Sequence, residues 1–360
     1  MLDRLLDLKV PSHRQAYSDR TAFLMARLSR AAYIHFDPCF PTAAARAEFV
    51  ATVRRHAEAG REDALQQLLD ATLHDPDSEH RRLTDELSTL RLRLVDTVDA
   101  GGTQAIVVRS ETFVALAFRG TEANRFEDVR ADTRARLEPC ASGGRVHAGF
   151  RDAFEIVHAQ LARILDDEAL RDLPLFVTGH SLGGALATLA SKRLRHPGGI
   201  AACYTFGSPR VGDDEWISTL KDPVHRIVNA ADCVSMLPPE GPLVELVGWA
   251  LAWIPTYGAR VREWLRANYC GYQHCGNMRY LTDCPTDDFE GVRLLYSVSG
   301  LYRLKGWILK HALRRLLADH CIDVYCRKLE IIAERRNPPT DGGTHAPART
   351  DQDGSATNSA

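Results

Sequence analysis

No stretch of this 360-residue chain reaches the roughly 18 to 20 unbroken apolar residues that a bilayer-spanning helix needs. The nearest, LVELVGWALAWI from Leu243 to Ile254, carries Glu245 and stops at Pro255, so spanning is not expected, while contact with a membrane surface stays open. Metal-ligand pairing is missing as well. Cys270, Cys275, Cys284, Cys321 and Cys326 form no C-x-x-C pair, the closest neighbours being five positions apart, and His35, His56 and His74 have no partners at ligand spacing, so neither a metal nor a cofactor is expected. The amino terminus, MLDRLLDLKVPSHRQ, lacks the uninterrupted apolar core of an export signal. Nine cysteines, an odd number, do not make a secreted disulfide framework, and the expectation is a cytoplasmic protein with reduced thiols, in peripheral contact with a membrane at most. Excess charge is lacking too: a formal net charge of -2 gives no general attraction to nucleic acid.

What the chain does have is 45% apolar residues, ample for a core, and one stretch around which the rest is arranged. Leu173 to Ala190, LPLFVTGHSLGGALATLA, runs from a short apolar strand into an Ala/Leu helix, with Gly179, Ser181 and Gly183 as G-x-S-x-G at the junction. So sharp a turn crowds its flanking positions, which suits glycine, and holds the central residue in strained dihedrals. The Ser181 hydroxyl then stands at the sheet edge near a helix N-terminus. There the N–H of Leu182 points at negative charge developing on a bound carbonyl oxygen. The alternative is an ordinary capping serine; Gly184, Ala185, Ala187 and Ala190, which let the helix pack closely on a sheet, favour the nucleophile.

Along the chain, residues 18–34 place Leu24, Leu28 and Ala31 on one helical stripe, and residues 44–73 read as one or two helices covering a sheet. Strand runs begin near residue 90. Gln104 to Arg109 and Thr112 to Phe118 read as a hairpin, entered through Gly101 and Gly102. The second of these ends at Gly120 and Thr121, where a loop presents a hydroxyl and an N–H as oxyanion donors. Phe150, Phe154, Val157, Leu161 and Ile164 mark an amphipathic helix. After the Ser181 unit come a strand at Ile200 to Phe206, a short helix around Trp216, a strand at Val224 to Asn229, and strands at Asn277 to Leu281 and Gly291 to Tyr296. Alternating strands and helices argue an α/β fold: a mostly parallel central sheet with helices on both faces.

Ligands of such sheets collect beyond the C-terminal strand ends, where both Ser181 and Asp232 fall. Asp232 is thus the candidate to orient a histidine, in competition with Asp213, Asp214 and Asp283. His320 is the candidate general base; His274 precedes a strand and reads as a core or loop hydrogen bonder, and His180, next to Ser181, should point away from its hydroxyl. The chain order Ser181, Asp232, His320 is that of α/β-hydrolases. Within the apolar insertion near 241–268, Leu246, Trp249 and Trp253 share a helix face that covers the site, meets lipid, or packs in a core. A basic amphipathic segment, residues 301–320, reads as a final long helix or pair of helices, and its Arg303 to Arg315 portion suits an anionic surface or a solvated face. Residues 336–360 have no periodic apolar positions and read as a disordered tail.

With these residues in hand, the chain resembles the class 3 lipase family, the group of filamentous-fungal triacylglycerol lipases with plant and bacterial relatives. The matching pieces are FRGT at 118–121, HAGF at 147–150, GHSLGGALA at 179–187, TFGSPRVGD at 205–213, RIVNAADCVSMLPP at 226–239, YQHCG at 272–276 and DHCIDVYCRKL at 319–329. The resemblance implies an α/β-hydrolase fold, with Ser181 as nucleophile, Asp232 as orienting acid, His320 as base, and Thr121 with the Leu182 amide as oxyanion hole. It also implies a division into a helical extension at 1–90, a catalytic domain at 91–335 and the tail. In the family a short lid often precedes the HAGF-type helix; here Glu122 to Gly144 is charged, which leaves residues 243–254 as the alternative cover. The implied activity is hydrolysis of a lipid ester, acylglycerol or phospholipid. A soluble carboxylesterase or thioesterase, and an idle interaction module of the same fold, stand as alternatives.

Overall fold

The computed structural model describes residues 2–7, 10–11, 16–34, 43–70, 76–120, 136–239, 241, 244–245, 249, 258–285, 288–299, 302 and 318–338. The basic segment at 303–315 and the tail from residue 339 lie outside these, as do residues 121–135.

Among the described residues five helices precede the sheet: α1 (Leu2–Asp7), α2 (Asp19–Ala31), α3 (Ala43–Glu58), α4 (Glu62–Asp70) and α5 (Pro76–Thr89). Ser18 caps α2 by accepting the Thr21 N–H at 3.3 Å, satisfying one of the donors a helix start leaves free. The stripe of Leu24, Leu28 and Ala31 is buried, and so are Phe23 and Met25 on the flanks. A helix that is apolar on so much of its circumference lies inside a protein.

The hairpin of β1 (Arg93–Ala100) and β2 (Thr103–Arg109) turns through Gly101 and Gly102, and β3 (Val114–Phe118) pairs antiparallel with β2. The sheet therefore begins one strand earlier than the Gln104 to Phe118 hairpin. A small ribbon of β4 (Leu137–Pro139) and β5 (Arg145–His147) leads into α6 (Ala148–Leu165). Then follow β6 (Leu175–His180), α7 (Leu182–Arg193), β7 (Ile200–Phe206), α8 (Asp214–Ser218), β8 (Val224–Asn229), α9 (Gly258–Tyr269), β9 (Asn277–Leu281), β10 (Leu294–Leu295) and α10 (Ile322–Arg336). The eight-stranded sheet runs β1-β2-β3-β6-β7-β8-β9-β10, parallel from β3 through β9 and antiparallel at both margins.

Both faces of the parallel strands are covered, so β3, β6 and β8 are buried at every position rather than at alternate ones. In β3, Ala115 and Ala117 join the core beneath α2, α5 and α10, whereas Val114, Leu116 and Phe118 join the core beneath α6 and α7. This is the two-residue period of a pleated strand. Most of the final helix or pair expected at residues 301–320 lies outside the described residues; the last helix among the described residues is α10. It starts after His320, and its buried residues Ile322, Tyr325, Cys326, Leu329, Ile332 and Ala333 form a three-and-four stripe packed on α2. The strand expected at Gly291 to Tyr296 shrinks to two residues, because Thr282 and Arg293 close a turn that hands only Leu294 and Leu295 to β9. The C-terminal ends of β3, β6, β7 and β8 meet in register, with Phe118 opposite Gly179, His180 opposite Phe206 and Phe206 opposite Ile227. The crevice that parallel sheets offer to ligands lies at this edge.

Candidate active site

Between β6 and α7 the chain reverses within one residue. Ser181 sits at φ 57 and ψ -128, a strained conformation that the surrounding contacts hold in place. The flanking glycines have no room for a side chain: a β-carbon on Gly179 would overlap the Gly183 carbonyl, and one on Gly183 the Phe118 carbonyl. Ser181 is 1% exposed, its N–H donates to the Phe206 carbonyl at 2.9 Å, and among the described residues its hydroxyl has no hydrogen-bond partner. Leu182 opens α7, so its N–H is among the donors without an intrahelical acceptor. Gly120 lies against the serine; a β-carbon there would come within 3.1 Å of Ser181 Cβ. Thr121, the next residue, falls outside the described residues.

Asp232 follows β8 and is fully buried. Its Oδ1 accepts the Val234 N–H at 2.9 Å, its Oδ2 accepts the Tyr325 hydroxyl at 2.6 Å, and His320 Nδ1 stands 3.0 Å from each oxygen. A carboxylate that only accepts makes Nδ1 the protonated nitrogen of His320 and leaves Nε2 as a base. The positive φ of Gly207, at 58°, lets the chain after β7 pass against this pair: a β-carbon there would overlap Asp232 Oδ2 and lie 2.9 Å from His320 Nδ1.

His180 ties the serine turn to the histidine. Its ring lies on that of His320, with centroids 4.5 Å apart and planes at 34°. Its Nε2 donates to the His320 carbonyl at 2.6 Å, and its Nδ1 accepts the Tyr33 hydroxyl at 2.8 Å. Burial, reinforced by His320, holds the His180 imidazole well below its usual range, although the bond to the His320 carbonyl works the other way. His180 therefore points away from the serine hydroxyl, and it also anchors His320.

A second layer reaches the same place from α10. The Asn229 N–H donates to the Tyr325 hydroxyl at 3.0 Å, Asn229 Nδ2 donates to the Asp319 carbonyl at 2.7 Å, and Asn229 Oδ1 accepts from Lys328 Nζ at 2.7 Å. The Ala231 N–H completes the clamp on Asp319 Oδ2 at 3.1 Å. Sequence reasoning passed over Tyr325, Asn229 and Lys328. Tyr325 and Lys328 lie on the apolar stripe of α10, and a tyrosine and a lysine there were the available signal.

The competing residues have other commitments. Asp213 holds the Arg145 guanidinium at 2.9 Å and caps α8 through the Trp216 N–H at 3.0 Å, and His274 Nε2 donates to the Ser235 carbonyl at 2.8 Å. Of the three residues proposed to cover the site or meet lipid, Leu246 and Trp253 lie outside the described residues. Trp249 is helical and 56% exposed.

Comparison with known proteins places these residues in a wider group. A family model described as Lipase (class 3) matches residues 115–241. The chain is 39% identical over 104 residues to Secreted mono- and diacylglycerol lipase 1 of Fusarium solani, covering 27% of this chain and 31% of the relative. It is 35% identical over 151 residues to a lipase of Rhizomucor miehei, covering 38% and 41%. The matches thus span less than half the length of either relative. The crystal structure of a mutant form of MDLA from Penicillium cyclopium superposes with a TM-score of 0.50 at 17% identity, covering 83% of this chain and 93% of that one, a likeness of fold.

The cytoplasmic expectation is corrected by these relatives. The Fusarium solani protein is named as secreted, and so is mono- and diacylglycerol lipase MDL3 of Malassezia globosa, so the relatives do not share a cytoplasmic placement. The argument from cysteines fails on packing. Cys203, Cys275 and Cys326 are buried as small apolar side chains, and burial pushes the thiol of Cys275 up to about 11 and that of Cys326 up to about 12. Such thiols stay unpaired because of where they sit, whatever the compartment.

Proposed function

We propose, because this chain belongs to the class 3 lipase family, that it hydrolyses carboxylic esters of lipids through Ser181, His320 and Asp232. The observation that carries the reading is the pair of 3.0 Å contacts from His320 Nδ1 to Asp232, beside a serine held in a strand-to-helix elbow. The Nε2 lone pair of His320 takes the Ser181 proton as Oγ attacks the ester carbonyl carbon. The carbonyl electron pair moves onto oxygen, where the Leu182 N–H and Thr121 receive it. Collapse of the tetrahedral intermediate breaks the ester C–O bond, and His320 gives its proton to the leaving alcohol. A water, deprotonated by His320, then attacks the acyl-enzyme, releasing the acid and restoring Ser181. Asp232 keeps the His320 tautomer and stabilises the imidazolium in both steps.

The substrate class is an acylglycerol or phospholipid ester, supported by relatives named as mono- and diacylglycerol lipases and by the Arabidopsis thaliana relative named Phospholipase A(1) DAD1. Exposed Trp249 and Trp264, each 56% accessible, support contact with a lipid–water interface. In the same reading residues 1–90 form a helical extension on a catalytic domain at 91–335. The test is hydrolysis of an ester chain-length series below and above substrate solubility, with Ser181→Ala in parallel. Ser181→Ala is expected to lower kcat by about 10^4 to 10^6, and activity to rise with long chains and aggregated substrate. Full activity in Ser181→Ala would remove the nucleophile, and turnover confined to short soluble esters would select a carboxylesterase.

A further inference from the structure

A cavity of about 790 Å3 lies between α1, the start of α2, the end of α5 and the turn joining β2 to β3. It falls within the roughly 300–1,000 Å3 of small-molecule sites. It is remote from Ser181: the Arg109 to Phe113 turn lines it, whereas the far end of β3, Phe118, pairs with Gly179 at the elbow.

Its lining combines two chemistries. Leu5, Leu24 and Phe113 supply an apolar wall. Arg20, Arg93 and Arg109 supply positive charge, and among the described residues none of the three forms an ion pair or a side-chain hydrogen bond. The fourth arginine of the lining, Arg91, is already paired, its Nη1 lying 2.7 Å from Asp7 Oδ1. Arg93 and Arg109 are moreover directly opposite across the β1–β2 ladder, where like charges destabilise a pair. Desolvation lowers the Arg20 guanidinium somewhat, yet an arginine stays charged in any protein setting. Glu111, at the rim, forms no ion pair with them among the described residues. Unpaired guanidinium groups beside an apolar wall suit one ligand class, a hydrocarbon chain ending in an anion that two forks can grip.

We propose that this cavity is a second binding site, separate from the Ser181 crevice, for a single-chain anionic amphiphile, its chain against Leu24 and Phe113 and its head group between Arg20 and Arg109. The same chemistry arises from a free long-chain carboxylate or from a lipid phosphate. Helix α2 connects this cavity to the crevice. Arg20 and Leu24 at its start line the cavity, and Ser29 near its end lies 2.9 Å, oxygen to oxygen, from Thr178 in the strand that carries Ser181.

The test is calorimetric titration of the full chain with decanoate, decyl phosphate, decanol and acetate, each below its aggregation limit. One equivalent of an anionic chain should bind, tenfold or more tighter than decanol or acetate, with the stronger of the two anions identifying the head group. Arg20→Gln and, independently, Arg109→Gln should each weaken that binding at least tenfold while the thermal midpoint and short-ester turnover stay unchanged. Equal binding of decanol, or anion binding indifferent to both substitutions, would overturn the proposal. Neither outcome depends on whether the chain hydrolyses esters, so this site and the Ser181 reading fail separately.

Discussion

Tyr325→Phe removes one oxygen and tests how the acid is held. The Tyr325 hydroxyl donates to Asp232 Oδ2 at 2.6 Å and accepts the Asn229 N–H at 3.0 Å, and Tyr325 and Asp232 are both fully buried. A hydrogen bond to a charged acceptor contributes about 1.5–3 kcal/mol, and an orphaned buried N–H costs about 1–3 kcal/mol. With partial relaxation, folding should weaken by about 3 kcal/mol, lowering the thermal midpoint by roughly 6–12 °C. Asp232 would keep the Val234 N–H and His320, so the tautomer survives and only its orientation loosens. The expected loss in kcat/KM is therefore about 10- to 100-fold, or about 1.4–2.8 kcal/mol of barrier, well short of the roughly 10^4 that follows loss of the carboxylate charge. Steady-state kinetics at 25 °C beside a thermal melt read both effects. Undiminished activity would refute the positioning role, whatever the stability change.

His180 should make the fold acid-sensitive: its folded-state value is depressed, so below about pH 6.5 the unfolded chain takes up a proton that the native state refuses. Stability should then fall by up to about 1.4 kcal/mol per pH unit, and urea titrations from pH 7 to 5 should show that slope flattened in His180→Leu. Gly207→Ala places a methyl group on Asp232 Oδ2 and 2.9 Å from His320 Nδ1. Ester turnover should fall by about 100-fold or more, with a substitution that abolished neither turnover nor the Asp232–His320 contact counting against the packing described. Lys328, 1% exposed, donates to Asn229 Oδ1 at 2.7 Å and to the Thr282 carbonyl at 2.9 Å. Lys328→Met leaves both acceptors unfilled and should cost about 2–4 kcal/mol in urea unfolding, whereas an unchanged midpoint would mean that the buried ammonium contributes nothing net.

Much of this molecule was legible as pattern, because strands and helices impose periods of two and of about three and a half on apolar residues. The strands at Ile200 to Phe206, Val224 to Asn229 and Asn277 to Leu281, the helix opening at the HAGF segment, and the Gly179-Ser181-Gly183 elbow all follow from local spacing and sterics. The proximity of His320 to Asp232 was open to inference only through chain order, since 88 residues separate them. What tertiary structure alone decided is everything that depends on side chains from distant elements meeting. The α2 helix from the start of the chain packs on the nucleophile strand and on α10, and nothing in its own stripe names those partners. Tyr33 reaches His180, Tyr325 reaches Asp232, and Lys328 finds two oxygens in the interior. Sequence determined which residues can form each element, because backbone geometry is local. Which polar groups those elements bury together was decided by packing, because a buried donor or acceptor must find its partner wherever the fold brings one.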